Sequence, residues 1–152
     1  MIITFGQSGT RPYCTLEVVQ VSQSVANNTS TVSFTLTLKR PYAVSSSATK
    51  QWSVVINGTT YRGSGSIGGS GDKVLLSGTQ VIPHNADGTK TFSFSGSCQL
   101  DITWSGVPLG TISGSGTMTL TPIPKYAVIS QNATGKTETT ITMNWASDSI
   151  VD

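Results

Sequence analysis

The sequence predicts an all-β protein, an antiparallel β-sandwich of seven or eight short strands. Gly, Ser and Thr make up 61 of the 152 residues, and this small, β-branched or turn-forming set disfavours long helices. Several segments also alternate apolar and polar residues with the period of two that a half-buried strand requires. Turn-forming clusters separate these segments, which is the pattern of an antiparallel sheet.

The first strand pair is predicted from residues 16–39. From Val32 to Leu38 every second residue is apolar and the others are Ser or Thr, as in a strand with one face in a core. Residues 16–21 are apolar on both parities, and the Asn and Ser residues of 27–30 favour a turn between the two segments. We therefore expect a hairpin here.

A second hairpin is predicted around Asn57-Gly58. Apolar residues alternate from Trp52 to Ile56 and run into this dipeptide, which favours the positive φ angles of a type I′ turn. Residues 59–62 form the returning strand. Residues 63–71 contain five glycines and are expected to form a flexible loop that crosses an edge.

The last part of the sandwich follows a corner at residues 84–88. The long alternating run after Thr89 implies a bent strand, with a bulge or kink expected at Gly96. Residues 111–121 supply the closing strand. The residues on the inward parity of the longest runs should form the core: Phe34, Leu36, Trp52, Phe92, Phe94 and Leu100.

Two modules are predicted, residues 1–122 and residues 123–152. Pro122-Ile123-Pro124 forms a short stiff linker, because proline lacks the amide proton that a strand ladder requires. Beyond it, strands are expected at residues 126–129 and 140–147, with a turn at Gly135. So short a segment cannot bury enough surface to fold alone, so the second module is incomplete or pairs with a neighbouring chain.

Composition disfavours several partners. The net charge of +2 is too small for a phosphate-binding stripe, so nucleic acid is not an expected partner. No window approaches the ~18 consecutive apolar residues of a membrane helix, so membrane insertion is not expected. Cys14 and Cys98 are expected to be unbonded, because Cys14 precedes the first predicted strand and Cys98 lies deep in a late one.

Catalytic chemistry has few candidate groups. His84 is the only histidine, and the acidic residues show no spacing typical of a carboxylate pair or a metal site. A serine or Cys98 could act as a nucleophile with His84 as its base only if the fold brought the two together, and no sequence pattern indicates this. Asp87 could offer an oxygen to calcium, but hydrogen bonding within its own turn is favoured. We therefore expect no enzyme, no metal and no cofactor.

Two features resemble immunoglobulin-like and fibronectin-like sandwiches. Residues 84–94 are similar to the acidic-Gly corner that leads into strand F, and Trp52 is similar to the buried tryptophan of strand C. Phe92 lacks the tyrosine-corner hydroxyl, and Cys14 is not on a strand B opposite Cys98. The resemblance therefore implies an immunoglobulin-like topology without a true immunoglobulin domain.

A more specific resemblance spans nearly all of residues 10–124. Its motifs are SQSVANNTSTVS at residues 22–33, HNADGTKTFSFSG at 84–96 and GSGTMTLTPIP at 114–124. Together they resemble the siphophage minor structural, or tail, protein family of Gram-positive hosts. Residues 126–147 resemble strands A and B of a fibronectin type III domain, with Trp145 at its core position. The resemblance implies a truncated tail-tip protein of the virion that forms homo-oligomers. It also implies assembly with other tail proteins in the host cytoplasm and exposure after lysis.

Three functions remain open. The first is host-surface adhesion, with cell-surface polysaccharide as the natural ligand, since aromatic faces stack on sugar rings. Tyr13, Tyr42, Tyr61 and Trp104 lie at or near predicted strand ends and are the candidate ligand-binding residues. The second is a purely structural spacer without a ligand. The third is an accessory module of a tail-associated cell-wall hydrolase.

Overall fold

Ten antiparallel strands form the described part of the chain. The computed structural model describes the backbone of residues 1–137 and 140–150 and the side chains of residues 1–125. The strands are β1 (Ile2–Phe5), β2 (Tyr13–Ser24), β3 (Thr29–Lys39), β4 (Thr49–Ile56), β5 (Thr59–Ser66), β6 (Lys73–Pro83), β7 (Thr91–Trp104), β8 (Val107–Thr119), β9 (Lys125–Thr137) and β10 (Thr140–Ile150). They pair in three sheets of order β1-β2-β3-β6, β5-β4-β7-β8 and β10-β9.

The two four-stranded sheets enclose one hydrophobic core, so the predicted β-sandwich is confirmed. Buried and accessible residues alternate with a period of two most regularly in β3 and in the first ten residues of β7. All six predicted core residues are buried: Phe34, Leu36, Trp52, Phe92, Phe94 and Leu100. Burial of this alternating apolar set is the main term that holds the two sheets together.

The strand order places Trp52 and the strand that follows the corner at residues 84–88 side by side. β4, which carries Trp52, lies beside β7, which follows the corner, and β8 lies on the other side of β7. In the other sheet, β3 lies between β2 and β6. β1 and β5 are added at the outer edges of the two sheets.

The predicted tight hairpin between β4 and β5 is confirmed. Asn57 has φ 46° and Gly58 has φ 83°, which are the two positive angles of a type I′ turn. The two strands pair in register from Ile56–Thr59 to Thr49–Ser66. The turn chemistry of two residues therefore sets the position of every side chain on β5.

The glycine-rich loop predicted at residues 63–71 begins later than expected, because β5 continues to Ser66. The Trp52 indole lies against the inner side of β5, and a Cβ atom on Gly63 would overlap its Nε1. A Cβ atom on Gly65 would lie 3.2 Å from its Cη2 atom. These two glycines belong to a strand and leave room for the indole, which residue propensity alone does not reveal.

The bulge predicted at Gly96 is wrong. The β7–β8 register is continuous there, and it shifts between Gln99 and Ile102, where Asp101 has φ 42°. A Cβ atom on Gly96 would lie 3.1 Å from Phe5 Cζ and 3.3 Å from Leu16 Cδ2. Gly96 is therefore needed for close packing between the sheets.

Cys14 and Cys98 are free, as predicted, but the position expected for Cys14 is wrong. Cys14 lies in β2 and not before the first strand, since β1 precedes it. Both residues are fully buried, and Cys98 Sγ donates to the Gln99 carbonyl at 3.9 Å. The neighbouring Cys98 side chain and burial raise the pKa of Cys14.

The C-terminal strands β9 and β10 form a separate two-stranded antiparallel sheet. The turn predicted at Gly135 is wrong, because β9 continues through it to Thr137. Lys136 pairs with Ile141 and Thr134 with Thr142, so Gly135 lies at a bulge between them. The predicted core position of Trp145 lies outside the side chains that the structure describes.

The segment that joins the two parts is anchored to the corner. Ile123 is buried, and its amide donates a hydrogen bond of 3.0 Å to the Gly88 carbonyl. Lys125 Nζ donates to Asn28 Oδ1 at 2.6 Å. The chain therefore leaves the sandwich from a fixed position beside the β2–β3 turn.

Candidate binding face

The outer face of the sheet β5-β4-β7-β8 is covered by hydroxyl groups. Because side chains alternate along a strand, burial of the apolar parity of β7 leaves its serines outward, and these pair with Ser and Thr on β8. The outward cross-strand pairs are Thr91–Thr119, Ser93–Thr117, Ser95–Ser115 and Ser97–Ser113. Short side chains at all of these positions make the face flat and polar.

A groove of about 540 Å³ lies in this face across β5, β4, β7 and β8. Its lining consists of Gln51, Trp52, Ser53, Arg62, Gly63, Ser64, Ser97, Gln99 and Thr111. A second depression of about 380 Å³ shares Ser53 and Ser97 with the groove and continues along β7 and β8. The binding face is defined here as the lining of these two depressions.

Hydrogen bonds hold the middle of the groove in place. Ser53 and Ser97 lie opposite each other on β4 and β7, and their hydroxyl oxygens are 2.9 Å apart. Gln99 Oε1 accepts a hydrogen bond of 3.2 Å from the Gln51 backbone amide, and Gln99 Nε2 donates to Asp101. Both ends of the Gln99 amide are thus fixed, so its orientation is set before any ligand arrives.

The groove offers neutral hydrogen-bonding groups and one cation. Ser, Thr and Gln side chains both donate and accept, whereas the exposed guanidinium of Arg62 only donates. Among the residues that line the groove there is no carboxylate. The chemistry therefore suits a ligand rich in hydroxyl groups, with or without a negative charge.

Trp52 lies at the base of the sheet below this face. It is 7% exposed, and its indole packs towards the core against Gly63 and Gly65. In the described part of the chain, Trp52 Nε1 is buried without a hydrogen-bond acceptor. Trp52 therefore supports β4 and β5 from below, in agreement with its predicted place in the core.

The four aromatic residues predicted as ligand contacts lie elsewhere. Tyr42 is 61% exposed in the loop between β3 and β4, and Tyr13 is half-buried at the start of β2. Tyr61 packs its ring 4.6 Å from that of Phe34 and donates to Gln80 Oε1 at 3.2 Å. Trp104 donates from Nε1 to Thr10 Oγ1 at 3.2 Å. None of the four lines the groove.

His84 forms a hydrogen bond with the buried side chain of Ser30. The Gly88 carbonyl can only accept, so His84 Nδ1 donates to it at 2.6 Å, and Nε2 accepts from the Ser30 hydroxyl at 2.7 Å. Ser30 is 1% exposed and His84 is 7% exposed, so a substrate cannot reach the hydroxyl. The group that orients the imidazole is a backbone carbonyl and not a carboxylate. The pair fastens the corner to β3.

Asp87 is engaged by its own turn. Its Oδ1 accepts hydrogen bonds from the Thr89 hydroxyl at 2.7 Å and from the Thr89 amide at 2.9 Å. These bonds lower the pKa of Asp87 below its ordinary value. Among the side chains of residues 1–125, no cluster of three His, Cys, Asp or Glu residues could hold a metal ion.

The fold and this face define an antiparallel β-sandwich module with an open polar surface. The chain belongs to a siphovirus protein family, since residues 2–151 match the family model described as "Siphovirus protein of unknown function (DUF859)". This agrees with the siphophage resemblance of the sequence motifs. Membership indicates a bacteriophage protein.

Other comparisons add no relative. No curated protein matches the chain, and no solved structure matches it. In the part of the chain that the structure describes, no helix is long and apolar enough to span a membrane.

Proposed function

We propose that this chain is a non-enzymatic structural protein of the phage tail whose binding face adheres to host cell-surface polysaccharide. Membership of a siphovirus family supports a structural role in the virion together with other phage proteins. Adhesion to the host is the part of the proposal that rests on the binding face.

The chemistry of the groove carries this proposal. Sugars present neighbouring hydroxyl groups that both donate and accept hydrogen bonds. Amide and hydroxyl groups of the protein can pair with them in either role, and a guanidinium can donate to them. Gln51, Gln99 and Arg62 supply such groups along one groove, with serine hydroxyls between them. The backbone of this face is held by the sheet, so the protein loses little backbone conformational entropy when a polysaccharide binds.

We expect the combined change Gln51→Ala and Arg62→Ala to weaken polysaccharide binding at least about tenfold, which corresponds to about 1.4 kcal/mol. Both side chains are exposed and line the groove, so their removal takes hydrogen-bond donors from the site and leaves the core intact. Binding of the purified chain to host wall polysaccharide and to a glycan array measures the effect.

Arg11→Ala is the matched control, because Arg11 is accessible and does not line the groove. Its binding should equal that of the wild type. Tyr42→Ala is a second comparison, since it removes the most exposed of the predicted aromatic residues. Loss of binding in Tyr42→Ala alone would move the site to the β3–β4 loop. A wild-type chain that binds no polysaccharide would be a spacer, and one that releases sugar would belong to a hydrolase.

We also propose that the chain self-associates through β9 and β10. These strands form a two-stranded sheet, and such a pair is marginally stable alone in water. Unpaired strand edges recruit partners. Light scattering should give a larger mass per particle for residues 1–152 than for a chain that ends at Pro124. Equal monomeric masses at equal concentration would contradict this part of the proposal.

A further inference from the structure

The two sheets approach each other closely where β2 faces β7. Packed sheets are usually about 10 Å apart, but Cα atoms of β2 and β7 come within 8 Å. Small residues allow this approach. A Cβ atom on Gly96 of β7 would already lie 3.3 Å from Leu16 Cδ2 of β2, so a larger residue there would push the sheets apart.

Cys14 and Cys98 occupy the next position along the same face. Cys14 precedes Leu16 by two residues and Cys98 follows Gly96 by two, so both thiols point into the narrow part of the core. Both side chains are fully buried and belong to the same core cluster. A disulfide needs Cα atoms about 4.4–6.8 Å apart, and Cα atoms of β2 and β7 approach within 8 Å of each other.

We propose that Cys14 and Cys98 form an intramolecular disulfide between the two sheets once the protein leaves a reducing compartment. Such a bond would close a loop over residues 14–98 and restrict the unfolded chain, which stabilises the folded sandwich. A protein exposed outside the cell benefits from this bond, because thiols there are not kept reduced.

The oxidant is a small disulfide such as oxidised glutathione. One cysteine thiolate attacks a sulfur of this disulfide, which breaks its S–S bond and releases one small thiol. The second cysteine thiolate then attacks the protein sulfur of the mixed disulfide, forms the Cys14–Cys98 bond and releases the second small thiol. The two protein thiols lose two electrons and two protons, and the small disulfide gains both.

The folded structure controls the rate of this reaction. Neither cysteine is exposed, and β1 covers Cys14 through the Phe5–Cys14 pair. β1 is a four-residue edge strand, so its opening is the shortest route for an oxidant. We therefore expect slow oxidation of the folded chain and fast oxidation during refolding.

The test uses the 1–152 chain, unfolded in guanidinium and refolded with either a glutathione redox buffer or dithiothreitol. After refolding in the redox buffer we expect a mass lower by two hydrogens, no thiol that reacts with an alkylating agent after denaturation, and a monomer on a non-reducing gel. The Tm should exceed that of the reduced chain by about 10 °C.

Cys14→Ala and Cys98→Ala are the matched variants, and the redox buffer should leave the Tm of each variant unchanged. Two alkylated thiols in the oxidised wild type would overturn the proposal. Glutathione adducts or disulfide-linked dimers as the main product would also overturn it, because they show that the sulfurs do not reach each other. A bonded monomer with a Tm below that of the reduced chain would contradict the stabilising role.

Discussion

Phe34→Ala is expected to lower the free energy of unfolding by about 3–5 kcal/mol, the range of large-to-small changes in a packed core. Phe34 is 1% exposed in the middle of β3, and its ring packs against that of Tyr61 at 4.6 Å. Alanine would leave a cavity between the two sheets. Urea unfolding followed by tryptophan fluorescence measures the change, and a loss below about 1 kcal/mol would contradict the packing described here.

A substitution at Gly78 tests the position of the Phe34 ring in a second way. A Cβ atom on Gly78 of β6 would lie 2.8 Å from Phe34 Cζ, so Gly78→Ala alone should be destabilising by about 1–3 kcal/mol through overpacking. In the Phe34→Ala background the ring is absent, and the added methyl group fills part of the cavity. The two changes should therefore couple by about 1 kcal/mol or more. Additive effects would show that the ring does not lie over Gly78.

Arg40→Ala is expected to lower the free energy of unfolding by about 2–4 kcal/mol. The change removes a charged hydrogen-bond donor and leaves the carbonyls around it without a partner. Arg40 is 8% exposed, and its guanidinium holds the loop between β5 and β6. Nε donates to the Gly71 carbonyl at 2.8 Å, and Nη2 donates to the Ser70 carbonyl at 3.0 Å. Nη1 donates to the carbonyls of Ile67 and Gly68.

Arg40→Lys separates the charge from the shape of the group. The compact ammonium group of lysine cannot replace a planar guanidinium that donates to four carbonyls. Arg40→Lys should therefore show at least half of the loss in free energy of unfolding seen in Arg40→Ala. Hydrogen exchange gives a local readout, because Val44 and Gly69 bond through both backbone amides at 2.8 Å. Their amides should exchange faster in both variants. Wild-type stability in Arg40→Lys would show that charge alone holds the loop.

Most of the sandwich could be predicted from the sequence because its strands alternate strictly. Phe34, Phe92 and Leu100 were placed correctly by parity alone, and Asn57-Gly58 located a hairpin because few dipeptides adopt two positive φ angles. The roles of Gly63 and Gly96 could not be predicted in this way. Each faces a large side chain from a distant part of the chain, and a propensity scale does not register such contacts.

The groove itself could not be predicted from the sequence. The sequence favours aromatic residues near strand ends, such as Tyr42 and Trp104, as ligand contacts, whereas the groove is lined mainly by Ser, Gln and Arg. A signal did exist, since the polar parity of β7 reads Ser93, Ser95, Ser97 and Gln99. Its meaning depends on the neighbouring strands, because only the pairing of β4, β7 and β8 brings these hydroxyls together into one face.

NMR mapping of polysaccharide binding tests the central proposal most directly. Titration of the isotope-labelled 1–152 chain with fragments of host wall polysaccharide should shift the backbone amides of Gln51, Ser53, Ser97, Gln99 and Thr111, which line the groove. Amides of the opposite sheet, such as Thr35 on β3, should not move. Shifts confined to the Tyr42 loop, or a spectrum unchanged at saturating polysaccharide, would contradict the proposal that this face binds the host surface.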